Sequence, residues 1–196
     1  VEQIEVLRGP QGTLFGRNTP AGIIKFDSVK PSQEASGYLR GAAGSFGALD
    51  IEGAYGMALT DTLSMRASVL FQSQDGWVDN LQTGESDAFE DYSEFAGRLQ
   101  FLYEPNAQFS ALLNIHGRSG ESTSRVFRAN ILAQGTGGLA ASFDREGVFF
   151  DGGGGNNQDI DTFGVTGRVA YDFGGVTLTS VTGYETVEFF GRGDID

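Results

Sequence analysis

The chain has 196 residues and contains no cysteine, which excludes disulfides and thiolate metal sites. Its formal net charge of −13 argues against a nucleic-acid partner, because a phosphate backbone is met by Lys and Arg side chains. Aromatic residues make up 12% of the sequence, which indicates a folded chain, and no run of about 18 apolar residues is present to form a transmembrane helix. With one histidine and no nucleophile-elbow motif, we expect neither an enzyme nor a bound metal or cofactor.

The first part of the chain carries its own pattern of short elements. Residues 1–7 are predicted to form a strand, residues 13–17 one helical turn, and residues 23–29 a second strand. Glycine and proline punctuate the links between these elements, and Pro31 ends the segment. We therefore treat this segment separately from the rest of the chain.

From about residue 36 onward, apolar and polar residues alternate with a period of two, which predicts β-strands. Val165 and Val169, for example, fall on one face of residues 161–173, and Arg168 falls on the other. The first and last of these predicted strands alternate less cleanly than the others. The seven predicted strands are residues 37–44, 49–59, 63–72, 92–103, 108–116, 161–173 and 176–190.

The length of the strands bears on the type of β architecture. The clearest run about ten to thirteen residues, whereas strands of soluble proteins average about five or six and tilted membrane strands need about nine to eleven. Tight turns alternate with long links at 76–91 and 119–159, which is typical of a membrane barrel. The sequence therefore favours an all-β, antiparallel, up-and-down transmembrane β-barrel. A soluble β-sandwich remains the alternative, because alternation alone does not separate the two.

Residues 4–24 read IEVLRGPQGTLFGRNTPAGII, and this stretch closely resembles the end of the plug domain in TonB-dependent outer-membrane receptors. The family pattern is I-E-V-L-R-G-P-x-G-x-L-Y-G, an asparagine-containing turn, and then G-x-I-N-I. Here Phe15 replaces the tyrosine, and Lys25 stands where an asparagine is common. Many residue types agree in order along the whole stretch, so the resemblance is specific there and more general over the remainder of the chain.

The resemblance implies a plug that folds inside a barrel of about 22 strands in the outer membrane of a Gram-negative cell. Residues 1–31 are then expected to be the C-terminal part of the plug, and residues 36–196 the N-terminal part of the barrel, with about seven of its strands. The implied partners are outer-membrane lipid, a small-molecule ligand such as a siderophore, and the TonB complex, which acts through a segment not in this chain. The expected function is TonB-energised uptake of a scarce nutrient. The alternative is a passive porin-like barrel or a secreted β-sandwich binding protein.

The residues that match the motif are expected to hold the plug rather than to carry chemistry. They are Arg8, Gly9, Pro10, Gly12, Gly16, Arg17, Asn18 and Gly22. The glycines would permit tight turns where the backbone packs against the barrel wall, although ordinary turn chemistry explains them equally well. The two arginines are expected either to pair with lumen carboxylates such as Glu52 or Glu94, or to be solvated.

Candidate ligand-binding residues come from the polar strand faces and from the long outer connections. His116 falls on the polar face near the loop end, where it either contacts ligand or lines the lumen without a special role. The glycine-rich residues 151–159 indicate a flexible outer loop rather than a calcium repeat, because no stacked copies follow. The candidates are His116, Arg118, Asp151, Asn156 and Asn157.

Overall fold

The computed structural model describes residues 2–16, 19–123, 126, 131–151 and 156–192. The described elements, in chain order, are β1 (Gln3–Arg8), α1 (Gly12–Phe15), β2 (Gly22–Asp27), β3 (Ser36–Ala43), β4 (Leu49–Thr60), β5 (Leu63–Gln74), β6 (Val78–Asn80), β7 (Glu85–Phe89), β8 (Tyr92–Asn106), β9 (Phe109–Thr123), β10 (Gly147–Val148), β11 (Asn157–Asp172) and β12 (Thr177–Gly191). The strands form separate sheets of two, three and seven strands. Among the described residues, no helix is long and apolar enough to cross a membrane.

The two-stranded sheet is a hairpin of β1 and β2, paired antiparallel from Gln3 and Asp27 to Arg8 and Gly22. The predicted order of strand, helical turn and strand is thereby confirmed, with α1 in the connection. Glycine is required at position 22, where β2 begins, because its φ is 136° and a Cβ there would clash with the carbonyl oxygen of Leu7.

The largest sheet contains the seven long strands in the order β12-β11-β9-β8-β5-β4-β3. Every neighbouring pair in it is antiparallel, and the long strands pair in the order in which they follow each other along the chain. This is an up-and-down arrangement, and all seven predicted strands are confirmed. Two of them extend further into the outer connections than predicted, since β9 continues to Thr123 and β11 begins at Asn157.

Cross-strand register separates an apolar face of this sheet from a polar one. Leu99 pairs with Ile115 and Ile115 with Val165, so apolar side chains run across three strands on one face. Phe95 and Val69 on the same face remain 55% and 48% exposed. Within the described residues no second sheet covers the apolar face.

Strand β12 departs from the division into two faces. Val181 pairs with Arg168 on the polar face, while Thr182 pairs with Gly167 on the apolar face. The alternation of this strand is also weak in the sequence. Strand β12 therefore separates the two faces less sharply than the strands at the centre of the sheet.

The three-stranded sheet lies in the long outer connections. Strands β6 and β7 form a hairpin, and β10 pairs in parallel with β6. Their apolar side chains form a buried cluster of Val78, Ala88, Phe89, Val148 and Phe150. We call residues 76–91 and 146–150 the loop unit. The sequence predicted only long connections here, because strands of two to five residues are too short to show alternation.

Candidate functional site

The segment that joins β2 to β3 crosses the polar face of the seven-stranded sheet. Within this segment, the Ser28 hydroxyl accepts a hydrogen bond from Arg98 of β8, and where the segment ends, Arg66 Nη1 of β5 donates over 3.4 Å to Oγ of Ser36, the first residue of β3. Pro31, between these two serines, is buried. We call the polar face, which this segment contacts, the inner face of the sheet, and the apolar face lies on the opposite side.

His116 of β9 belongs to a chain of hydrogen bonds on the inner face. Asn114 Nδ2 lies 3.2 Å from His116 Nδ1, and His116 Nε2 lies 3.2 Å from a carboxylate oxygen of Glu185. The contact passes over Gly164 of β11, where a Cβ would lie 2.6 Å from His116 Nε2. Glycine at this position allows a side chain of β9 to reach one of β12, so the contact ties three strands together.

Two carboxylates of the inner face have partners within the sheet. Arg118 Nη2 donates to Glu94 Oε2 over 2.8 Å, and the Tyr38 hydroxyl donates to Glu52. Among the described contacts, Arg8 is not paired with either carboxylate, which leaves solvation, the other expectation for this residue, as a prediction. Arg17 and Asn18 lie outside the described residues.

Two cavities open on the inner face. The central cavity, of about 650 Å³, lies in the middle of the sheet, and Arg98 and His116 are in its lining. The upper cavity, of about 390 Å³, lies at the loop ends of β8, β9 and β11, where Tyr92 and Phe189 contribute to its wall. Arg118 lines both cavities, so this predicted residue stands between the outer opening and the middle of the inner face.

A third cavity, of about 920 Å³, lies between the loop unit and the ends of the long strands. We call it the loop cavity. Asn156 and Asn157, both predicted as ligand contacts, line it, whereas Asp151 lines none of these three cavities. Among its described lining residues there is no Lys or Arg. Its carboxylates are Asp75, Glu85, Asp87, Asp91, Glu121 and Asp159.

The plug-motif glycines act mainly through backbone conformation. Gly9 and Gly16 have φ values of 84° and 83°, which favour glycine, and a Cβ on either would meet nothing within 4 Å. Gly12 begins α1, also with open space around its α-carbon, and Pro10 precedes it in the turn. These φ values are those of tight turns, and packing of these residues against a barrel wall stays a prediction.

Lys25, which occupies the position where the family often has asparagine, ties the hairpin together by charge. Its Nζ lies 2.8 Å from Asp27 Oδ2 and 3.2 Å from Glu5 Oε2. The hydrogen bond to Asp27, and then the one to Glu5, raise the pKa of Lys25 above its ordinary value of 10.5. This contact links β1 and β2 on the less exposed side of the hairpin, where all three side chains are partly buried.

Several lining residues were not among the predicted ligand contacts. Tyr92, Glu94 and Phe189 all line the upper cavity, and all are aromatic or charged residues at the loop ends of predicted strands. Their place at the loop ends of strands could have marked them as lining residues, but the sequence does not show which strand ends lie close together. In the part of the chain that the structure describes, no three His, Asp or Glu side chains converge on a metal position.

No family model matches the chain. Over 45 residues it is 42% identical to the pesticin receptor of Yersinia enterocolitica and 44% identical to the ferrioxamine B receptor of Salmonella typhimurium. Each match covers 23% of this chain, and 7% and 6% of the two relatives. A longer match, 22% identical over 150 residues, covers 76% of this chain and 18% of the ferrioxamine receptor of Yersinia enterocolitica. The chain thus spans less than a fifth of the length of these curated relatives.

Solved structures show the same fold. The ferric yersiniabactin uptake receptor of Yersinia pestis matches with a TM-score of 0.79 at 20% identity, over 95% of this chain and 28% of that one. The ferric-catecholate import receptor of E. coli K12 matches with a TM-score of 0.76 at 19% identity and the same coverage. The predicted resemblance to TonB-dependent outer-membrane receptors is confirmed. Because 95% of the chain takes part, the likeness in fold extends from the motif to the long strands.

The receptor likeness also bears on the other predictions. The antiparallel barrel fold class is confirmed, and the sheet remains open within the described residues. The predicted outer-membrane location is confirmed as well. The matched proteins are receptors rather than enzymes, which agrees with the prediction from the sequence.

Proposed function

We propose that the chain is the plug–barrel junction of a receptor that takes up a ferric siderophore with energy from the TonB complex. The observation that carries this proposal is the segment between β2 and β3, which crosses the polar face of a sheet whose other face is apolar. A hairpin tethered inside a barrel wall obstructs passive flow, so transport requires that it be displaced. A passive porin has no such element to displace.

In this proposal residues 1–31 are the end of the plug and residues 36–196 begin the barrel. The apolar face meets outer-membrane lipid, and the polar face lines an aqueous lumen, as in other membrane barrels. The TonB complex acts through a segment outside this chain. The names of the matched proteins, which include two ferrioxamine receptors and a ferric yersiniabactin uptake receptor, support an iron complex as the cargo.

The ligand path in this proposal runs from the outer connections to the middle of the inner face. Asn156 and Asn157 meet the ligand at the loop cavity. Arg118 follows in the upper cavity, and His116 lines the central cavity below it. The guanidinium of Arg118 offers several N–H donors, which suit the oxygen-rich surface of a ferric siderophore.

Uptake by iron-starved cells tests the proposal. We expect a strain that carries the intact receptor gene to accumulate ⁵⁵Fe from ferrioxamine B or from ferric yersiniabactin, and a deletion strain to lose that uptake. Uptake should also stop when the proton gradient across the inner membrane is collapsed. Uptake that survives the collapse would support the porin-like alternative, and unchanged growth of the deletion strain on every iron chelate would contradict the proposal.

Two arginine variants test the proposed ligand path. Arg118→Gln should raise the half-saturating concentration of the transported chelate by about tenfold, because a hydrogen bond from a charged donor contributes about 1.5–3 kcal/mol. Arg168→Gln is the matched control, since this arginine pairs with Leu112 on the same face but lines none of the three cavities. Equal effects of the two substitutions would show that Arg118 has no special place on the path.

A further inference from the structure

The two long outer connections are joined by backbone hydrogen bonds between β6 and β10. The Asp79 N–H donates to the carbonyl of Glu146 over 2.6 Å, and the Leu81 N–H donates to that of Val148 over 2.8 Å. Residues of β6 and β10 are about 70 positions apart in the sequence. A parallel pairing over this separation holds only if tertiary packing supports it.

A shared hydrophobic core supplies that packing. The first connection contributes Val78 and Phe89, both 0% exposed, and the second contributes Val148 and Phe150, which are 3% and 5% exposed. The rings of Phe89 and Phe150 meet edge to face, with centroids 5.0 Å apart. Neither connection encloses this core by itself, because the side chains of each are covered by those of the other.

Asn80 fastens the same junction with polar contacts. It is 5% exposed, and its Nδ2 donates to the Phe150 carbonyl over 3.2 Å. Its Oδ1 accepts from the Gln82 N–H at 3.0 Å, which shapes the turn within the first connection. One buried side chain thus orders the first connection and binds it to the second.

The loop unit also forms one wall of the loop cavity. Glu85, Asp87 and Ala88 line the cavity from this side, and Asn156 Nδ2 donates to the Ala88 carbonyl over 3.2 Å. The opposite wall consists of the ends of the long strands, including Ser93. The shape of the cavity therefore depends on the core that joins the two connections.

We propose that residues 76–91 and 146–150 fold, open and meet ligand as one body, with Phe150 and Asn80 as the positioning residues that couple them. The part of this inference that concerns ligand rests on the proposed function, whereas the coupling itself does not. A change that loosens residues 146–150 must then loosen β6 and β7, which belong to the other connection.

Hydrogen exchange of the intact receptor in detergent tests the coupling. We expect Phe150→Ala to speed amide exchange in Val78–Asn80 and Glu85–Phe89 by at least about tenfold, because truncation of a buried aromatic side chain removes a large part of a small core. Phe149→Ala is the matched control, because Phe149 is adjacent to Phe150 in the sequence but is 54% exposed. This substitution should leave exchange in both segments unchanged. Faster exchange confined to residues 146–150 would overturn the proposal, as would equal effects of the two variants.

If Phe150→Ala also speeds exchange in β8 and β9, it has destabilised more than the loop unit, and a second, milder variant is needed. Asn80→Asp preserves the acceptor for the Gln82 N–H but loses the donor to the Phe150 carbonyl. It should speed exchange in Gly147–Val148 as well as in β6, and exchange that rises in β6 alone would overturn the coupling. The measurement needs no nutrient, so its outcome is independent of whether the proposed transport is correct.

Discussion

The seven-stranded sheet and the loop unit treat their apolar side chains in opposite ways. In the loop unit, Phe89 and Phe150 are 0% and 5% exposed within a closed cluster. In the sheet, Phe95 and Val69 are 55% and 48% exposed on a broad apolar face. Burial of one such side chain contributes about 1.5–3 kcal/mol to stability. In the loop unit, other residues of the same unit bury these side chains, whereas the apolar face of the sheet must be covered by something outside the sheet. The loop unit therefore covers its apolar side chains by itself, whereas in the proposed function lipid covers the apolar face of the sheet.

The largest expected effect separates the two faces of the sheet. Leu113 lies midway along the apolar stretch of β9, whereas the adjacent Leu112 lies on the inner face. We expect Leu113→Lys to lower the free energy of unfolding by about 2–4 kcal/mol in lipid vesicles, because a charge at the bilayer midplane is costly. Leu112→Lys should cost clearly less, because its ammonium reaches water. Urea titration of the refolded receptor measures both values, and equal losses would contradict the assignment of the faces.

A smaller effect is expected at the contact over β11. Gly164→Ala places a methyl group against His116 and Glu185, which must separate. Since this pair is partly exposed, we expect a loss of about 1 kcal/mol or less in the free energy of unfolding. Gly167→Ala, on the same strand, meets nothing within 4 Å and should instead stabilise the strand by about 0.5–1 kcal/mol. Stabilisation by both substitutions would show that the contact does not hold the strands together.

The smallest effect is expected in the hairpin, outside the sheet. The contacts with Asp27 and Glu5 raise the pKa of Lys25, so their stabilisation is complete below pH 10.5 and is lost as the pH rises through the raised value. A ¹³Cε titration of Lys25 by NMR should therefore have its midpoint above 10.5. Replacement of both carboxylates, by Asp27→Asn and Glu5→Gln, should return it toward the ordinary value. A midpoint that does not respond to these changes would rule out the contacts.

The sequence predicted the long strands well because most of them have an apolar side and a polar side, so that apolar and polar residues alternate along the strand. The prediction failed where that contrast ends. Residues 117–123 of β9 extend past the apolar stretch, so Ser119 and Glu121 show no alternation although they remain paired. Strands β6, β7 and β10 are shorter still, and a parallel pairing across about 70 residues leaves no local signal.

The candidate site was predictable in its residue types but not in its contacts. Arg118, Asn156 and Asn157 were chosen for their polar character and position, and they do line cavities. The pairing of His116 with Glu185 depends on a register that joins positions 69 residues apart, which no local pattern contains. The division at residues 1–31 and 36–196 stays a prediction.

The two edge strands of the seven-stranded sheet, β3 and β12, differ in length. Strand β3 has 8 residues and β12 has 15, and every one of these residues is exposed. If the two edges joined directly, roughly half of β12 would have no backbone partner, so this sheet does not close into a small barrel of its own. Produced in isolation, such edges would recruit one another between copies. The polypeptide would then collect in inclusion bodies and would have to be refolded from denaturant into micelles.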